Sequence, residues 1–304
     1  MAVEEVRAEL SGGYPIEQMD RLVRQLQNLI EMDSPARVTI DLARLAHVCP
    51  AALALLTAVA VRLVEEGLLE EGSTVDGPRS PLTARYLMRM DFVRLITREE
   101  QEEPFERRDD VGFRPARMFS GADDYHRVCA DMVAALGERM PADRHSIASL
   151  RIALDEIAEN VVHHAASPIG GVAAAQGYPK KRKFEIAIVD LGVGIQASLK
   201  QNPAYADVSS DVDAIRLALK KYVSATPERN GGTGLFVANL LMEANGGTLA
   251  IRSGHGAVFS GVEEFAFERE IYFPGTMVAL RARTDNPLDI NEILTREFGP
   301  PDDS

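Results

Sequence analysis

The chain is short of cysteine, of long apolar runs and of positive charge, and each shortage removes a class of protein. Its two cysteines, Cys49 and Cys129, cannot form a disulfide framework and show no metal-ligand spacing. Both lie in apolar surroundings, so both are expected as reduced core residues. The apolar run 51–61 meets Arg62 and is too short to cross a bilayer, so it reads as a buried helix and no membrane role is expected. With 33 Lys and Arg against 46 Asp and Glu the net charge is -13, which argues against nonspecific nucleic-acid binding. The start, MAVEEVRAEL, is acidic and has no apolar signal run, so a cytoplasmic location is expected. No Walker sequence occurs, no Rossmann glycine fingerprint follows a first strand, and no internal repeat is visible. The 304 residues are enough for two domains, and 46% hydrophobic with 26% charged residues is ordinary globular usage.

What is present is a trio of short segments: EIAEN at 156–160, DLGVG at 190–194 and GGTGL at 231–235. From Ser146 to Ala165, Ile147, Leu150, Leu154, Ile157, Val161 and Ala165 recur at three- and four-residue steps, the pattern of an amphipathic helix with Ser146 as its N-cap. On it Glu156, Asn160 and His164, each four residues apart, form a second, polar stripe. Such a stripe is compatible with a solvated face. It is also compatible with phosphoryl transfer, where a carboxylate takes a proton and a nearby amide ligates a hard cation.

FEIAIVD at 184–190 reads as a buried strand running into Gly192 and Gly194, which puts Asp190 at a strand end. There its carboxylate can accept from an exocyclic amine while glycines let backbone approach a ligand. The second loop, Asn230, Gly231, Gly232, Thr233 and Gly234, opens a helix whose face is Leu235, Val237, Ala238, Leu241 and Met242. Backbone amides at a helix N-terminus suit phosphates.

In order and spacing, Glu-x-x-x-Asn on a helix, Asp-x-Gly-x-Gly after a strand, Gly-x-Gly-Leu opening a helix, then Gly246-Gly247 and a late Gly275-Thr276 resemble the ATP-binding domain of the GHKL superfamily. The likeness covers about 125–285. It implies a Bergerat-type α/β sandwich, with helices over one face of a mixed sheet and ATP under a flexible lid. It also implies roles: Glu156 as general base, Asn160 as Mg2+ ligand, Asp190 as adenine anchor, and Thr276 near the adenine. Backbone and flanking contacts to ATP would come from His164, Gly192, Gly194, Ile195, Arg229, Gly231, Gly232, Thr233, Gly234 and Leu235. The run Glu156, Asn160, His164 is most similar to the anti-sigma-factor serine kinases, with an ATPase switch or a non-hydrolysing ATP-binding module as alternatives. The expected partner is a protein regulator of the anti-sigma or antagonist type, with a homodimer compatible and nucleic acid excluded.

Between Gly194 and Gly231, Ala214, Leu217, Ala218 and Tyr222 suggest one helix in a mobile lid. The stretch 167–183, rich in Gly, Pro and Lys, reads as an exposed loop. N-terminally, strand and helix patterns alternate through RVTIDLARL, the apolar run and PLTARYLMRM, which points to an α/β layer fold. The passage 38–67 resembles the STAS domain of anti-sigma-factor antagonists, over about 3–98. In that family a Ser or Thr at the start of this helix takes phosphate, but here the stretch is Cys49-Pro50-Ala51-Ala52. The expected organisation is a STAS-like domain at 1–98, a linker at 99–120, a GHKL-type domain at 121–285 and a polar tail at 286–304.

Overall fold

In a computed structural model the chain is described at residues 4–90, 92, 113–139, 143–225 and 232–299. The N-terminal strands β1 (Glu5–Tyr14), β2 (Arg37–Val48) and β3 (Thr74–Asp76) form a parallel sheet in the order β1-β2-β3. Parallel neighbours need crossovers, and helices α1 (Met19–Ile30) and α2 (Pro50–Glu65) supply them. Helix α3 (Pro81–Arg89) follows, with Ser80 capping it through the Thr83 amide.

The second sheet has the order β4-β5-β6-β8-β7, from β4 (Phe113–Phe119), β5 (Gly171–Tyr178), β6 (Lys183–Asp190), β7 (Thr248–Gly261) and β8 (Phe265–Arg283). Every described pairing in it is antiparallel, which corrects the expected mixed sheet. Its front is covered by α4 (Ala122–Arg139), α5 (Arg144–Asn160) and α8 (Gly234–Asn245). The shorter α6 (Gly194–Leu199) and α7 (Asp211–Ala218) lie beside them.

Helices cover both faces, not one. Every residue of α2 from Pro50 to Val61 is buried, as a helix apolar on all sides requires. It lies between the two sheets, and one core joins α1 and α2 to Val172, Ala174, Ala187, Val189, Met277 and Ala279 on the back of the second sheet. The alternate residues Ala173, Ala175, Ile186, Ile188, Val278 and Leu280 face the front helices. The layers therefore run sheet, helices, sheet, helices. Polar contacts tie them together: Tyr86 Oη donates to Gln176 Oε1 at 3.1 Å, and Arg281 bridges Glu17 at 2.5 Å and buried Glu185 at 2.7 Å.

Several sequence expectations change. The loop expected at 167–183 contains β5, an inner strand buried on both faces, because a strand covered on two sides needs no polar alternation. Its basic end is partly structural, with Lys183 paired to Glu185 at 2.7 Å. Asp143, not Ser146, caps α5; the buried Ser146 hydroxyl donates to Asp143 and accepts from the Leu288 amide at 2.8 Å. The expected linker at 99–120 lies outside the described residues up to 112, and its end forms edge strand β4. The stretch expected as a polar tail carries α9 (Ile290–Phe298), whose Ile290 and Ile293 are buried. Tyr222 lies beyond α7, exposed and at φ 64°. Cys49 and Cys129 are free and buried, and burial pushes the Cys49 thiol up to about 12. No described helix is long and apolar enough to cross a membrane.

Candidate functional site

The three sequence segments converge where β6 ends against the first turns of α6 and α8. Helix α5 runs into a π-turn at Val161–Ala165, so His164 leaves the ideal four-residue stripe yet stays on the same side. A cavity of about 300 Å³, at the small end of ligand sites, brings together Glu156, Asn160, His164, Asp190, Gly194, Ile195, Gly232, Thr233, Gly234, Leu235 and Thr276. Gly192 is not on its wall but lies one bond away, its amide donating to Asp190 Oδ1 at 2.8 Å. Arg229 and Gly231 lie outside the described residues.

Three glycines set this geometry by letting chains touch. A Cβ at Gly192 would overlap the Ala165 carbonyl, the acceptor of the Val193 amide at 2.8 Å, so the DLGVG loop is pinned to the end of the π-turn. At Gly275, with φ 81°, a Cβ would strike Asp190, including Oδ1 at 2.7 Å. At Gly234 it would meet Glu156 Oε2 at 2.6 Å, so the carboxylate rests on the first residue of α8.

The electrostatics follow from burial. Asp190 is almost fully buried, and loss of solvent raises its pKa to about 7 against the lowering effect of the Gly192 and Thr276 backbone. Glu156 is raised as well, by burial first and then by the charges of Glu159 and Asp155. A raised carboxyl within reach of a helix N-terminus is suited to accept a proton. Gly234 and Leu235, the first residues of α8, line the cavity, and amides at a helix N-terminus, which lack a partner within the helix, make a seat for anionic oxygens.

Two residues of the site were not singled out in the sequence, one on the cavity wall and one bonded to it. Glu159 lies on the cavity wall three residues after Glu156, one turn on, a spacing that could have flagged it. Ser253 accepts from the Ile195 amide at 2.9 Å and donates to the Gly275 carbonyl at 2.8 Å, tying two loops together. No local pattern marks it, because both partners are remote in sequence.

No curated protein matches the chain. Residues 119–254 match the family model of the histidine kinase-like ATPase domain, a span that runs from the end of β4 to Gly254 and contains all three converging segments. This part of the chain is thus similar to a histidine kinase-like ATPase domain, which supports an ATP-binding regulatory role.

Proposed function

We propose that the protein is a Mg-ATP-dependent regulator of the anti-sigma serine kinase type that phosphorylates a Ser or Thr of a separate protein. The observation that carries this reading is the convergence of Glu156, Asn160, Asp190 and the N-terminus of α8 on one cavity. Asp190 accepts from the adenine amine, with Thr276 beside the ring. Gly232, Thr233, Gly234 and Leu235 offer backbone amides to the phosphates. The Asn160 amide oxygen is a hard donor for Mg2+, and His164 flanks it. Among the described residues no group of three or more His, Cys, Asp or Glu can hold a metal unaided, which fits a cation that takes most of its ligands from phosphates and water. When bound, that ion offsets phosphate charge. Glu156 takes the proton of the attacking hydroxyl.

The N-terminal unit is read as a STAS-like partner module. The start of α2, Cys49 to Ala52, is not the phosphate acceptor, because it has no hydroxyl and is buried on the face of the sheet opposite Glu156. Thr57 is also fully buried. A second reading, an ATPase switch, is favoured by the packing of α1 and α2 directly on the back of the nucleotide sheet.

The test is incubation with labelled ATP, alone and with lysate. Label on a separate protein supports the kinase, release of phosphate alone supports the switch, and binding without either refutes turnover. Glu156→Gln should keep ATP binding and lose about 10²–10⁴-fold in turnover. Normal turnover in that variant would remove Glu156 from the chemistry.

A further inference from the structure

Arg252 in β7 is 4% exposed and lies where the N-terminal unit meets the nucleotide sheet. Its Nε donates to Asp20 Oδ1 of α1 at 3.0 Å, across 232 residues of sequence. Asp20 Oδ2 also lies 2.6 Å from Arg269 Nε of β8, an ion pair in which the N–H is not aligned for a hydrogen bond. The rest of the Arg252 guanidinium is spent on backbone: it donates to the carbonyls of Gly254, Gly256 and Ile271. These carbonyls flank the place where the β7–β8 register shifts, between Ser253 and Gly254 and again between Gly254 and Gly256. Such a bulge aims side chains that a regular ladder could not.

On its other side the same bulge serves the cavity. Ser253 holds the Ile195 amide and the Gly275 carbonyl. Gly254, at φ 57°, leaves room for the Asp211 carboxylate, which accepts from the His255 amide at 2.8 Å and belongs to the first residue of α7. One carboxylate of the N-terminal unit thus sits two residues in space from the loops that wall the nucleotide cavity.

We propose that Asp20 is a positioning residue for nucleotide binding, acting through Arg252 on the 253–256 bulge and so on the Ile195 wall of the cavity and on the Gly275 backbone next to the wall residue Thr276. The inference deepens the proposed function and rests on the cavity being a nucleotide site. Without Asp20, the buried guanidinium keeps its carbonyl acceptors and the charge of Asp211 but loses its ion-pair partner while still facing Arg269, so the bulge carbonyls must move to satisfy it. A partner that shifts α1 then weakens nucleotide binding, and by linkage nucleotide opposes that shift.

The experiment is titration of the full chain with a fluorescent non-hydrolysable ATP analogue, with melting temperatures in parallel. Asp20→Asn should weaken affinity by about tenfold, within the usual range of coupling between sites. Ser253→Ala should weaken it as well, and the double variant should lose less than the product of the two losses, because both act through one bulge. Asp20→Glu keeps the charge on a longer arm; it should hold the melting temperature and give a smaller loss in the same direction, which covers the case in which Asp20→Asn does not fold. Parental affinity in both Asp20 variants, or fully multiplicative losses in the double variant, would overturn the proposal. If the parent chain itself binds no analogue, the nucleotide reading falls and this inference with it.

Discussion

At Asp190 the demands of binding and of stability are opposed, and pH separates them. Burial raises its pKa from 3.8 to about 7. The folded value lies above the unfolded one, so between roughly pH 4 and pH 7 the native state holds more protons than the unfolded chain. Stability of the nucleotide-free protein therefore falls as pH rises through that window and levels off above about pH 7. The whole gap is worth about 4 kcal/mol at 1.36 kcal/mol per pH unit. A nucleotide amine that donates to the carboxylate selects its ionised form, so affinity changes in the other direction. At about pH 6 only about a tenth of the groups are ionised, and affinity should be about tenfold weaker than at about pH 8. Calorimetry in two buffers of different ionisation enthalpy should register proton release on binding near neutral pH. In Asp190→Asn the dependence of the urea midpoint on pH should flatten across the window. At about pH 8 that midpoint should equal or exceed the parent's, while nucleotide affinity falls about tenfold or more. A parental slope in the variant, or equal parental affinity at the two pH values, would refute the reasoning.

Asn160→Ala should abolish the Mg2+-dependent part of ATP binding and change the melting temperature little, because Asn160 is only half-buried on the cavity side of α5; unaltered calorimetric binding with and without Mg2+ would displace it as the metal ligand. Leu55→Ala, at a fully buried position of α2, should cost about 2–5 kcal/mol. Because α2 contributes to a core shared by both sheets, urea should still unfold the chain in one transition, and two separated transitions would show that the units are independent.

The sequence by itself determined what depends on short range. The three- and four-residue recurrence of apolar positions located α5, and branched residues ahead of Gly192 located β6. Helix pitch and a strand end were enough to mark Glu156, Asn160 and Asp190, which do line the cavity, while the other expected contacts came from the family resemblance. Tertiary structure decided the rest, for reasons that no window of sequence contains. Strand β5 has small apolar residues on both faces because α2 covers one and α4 and α5 the other, so the alternation that identifies a strand was never required of it. Ser146 carries a capping residue's chemistry but spends its hydroxyl on Leu288, while Asp143 takes the cap. Ser253 and Arg252 are neighbours in β7 that face opposite sides of the sheet. Their partners Ile195, Gly275 and Asp20 are brought to them only when the layers stack, and that stacking sets an N-terminal carboxylate against the frame of the cavity.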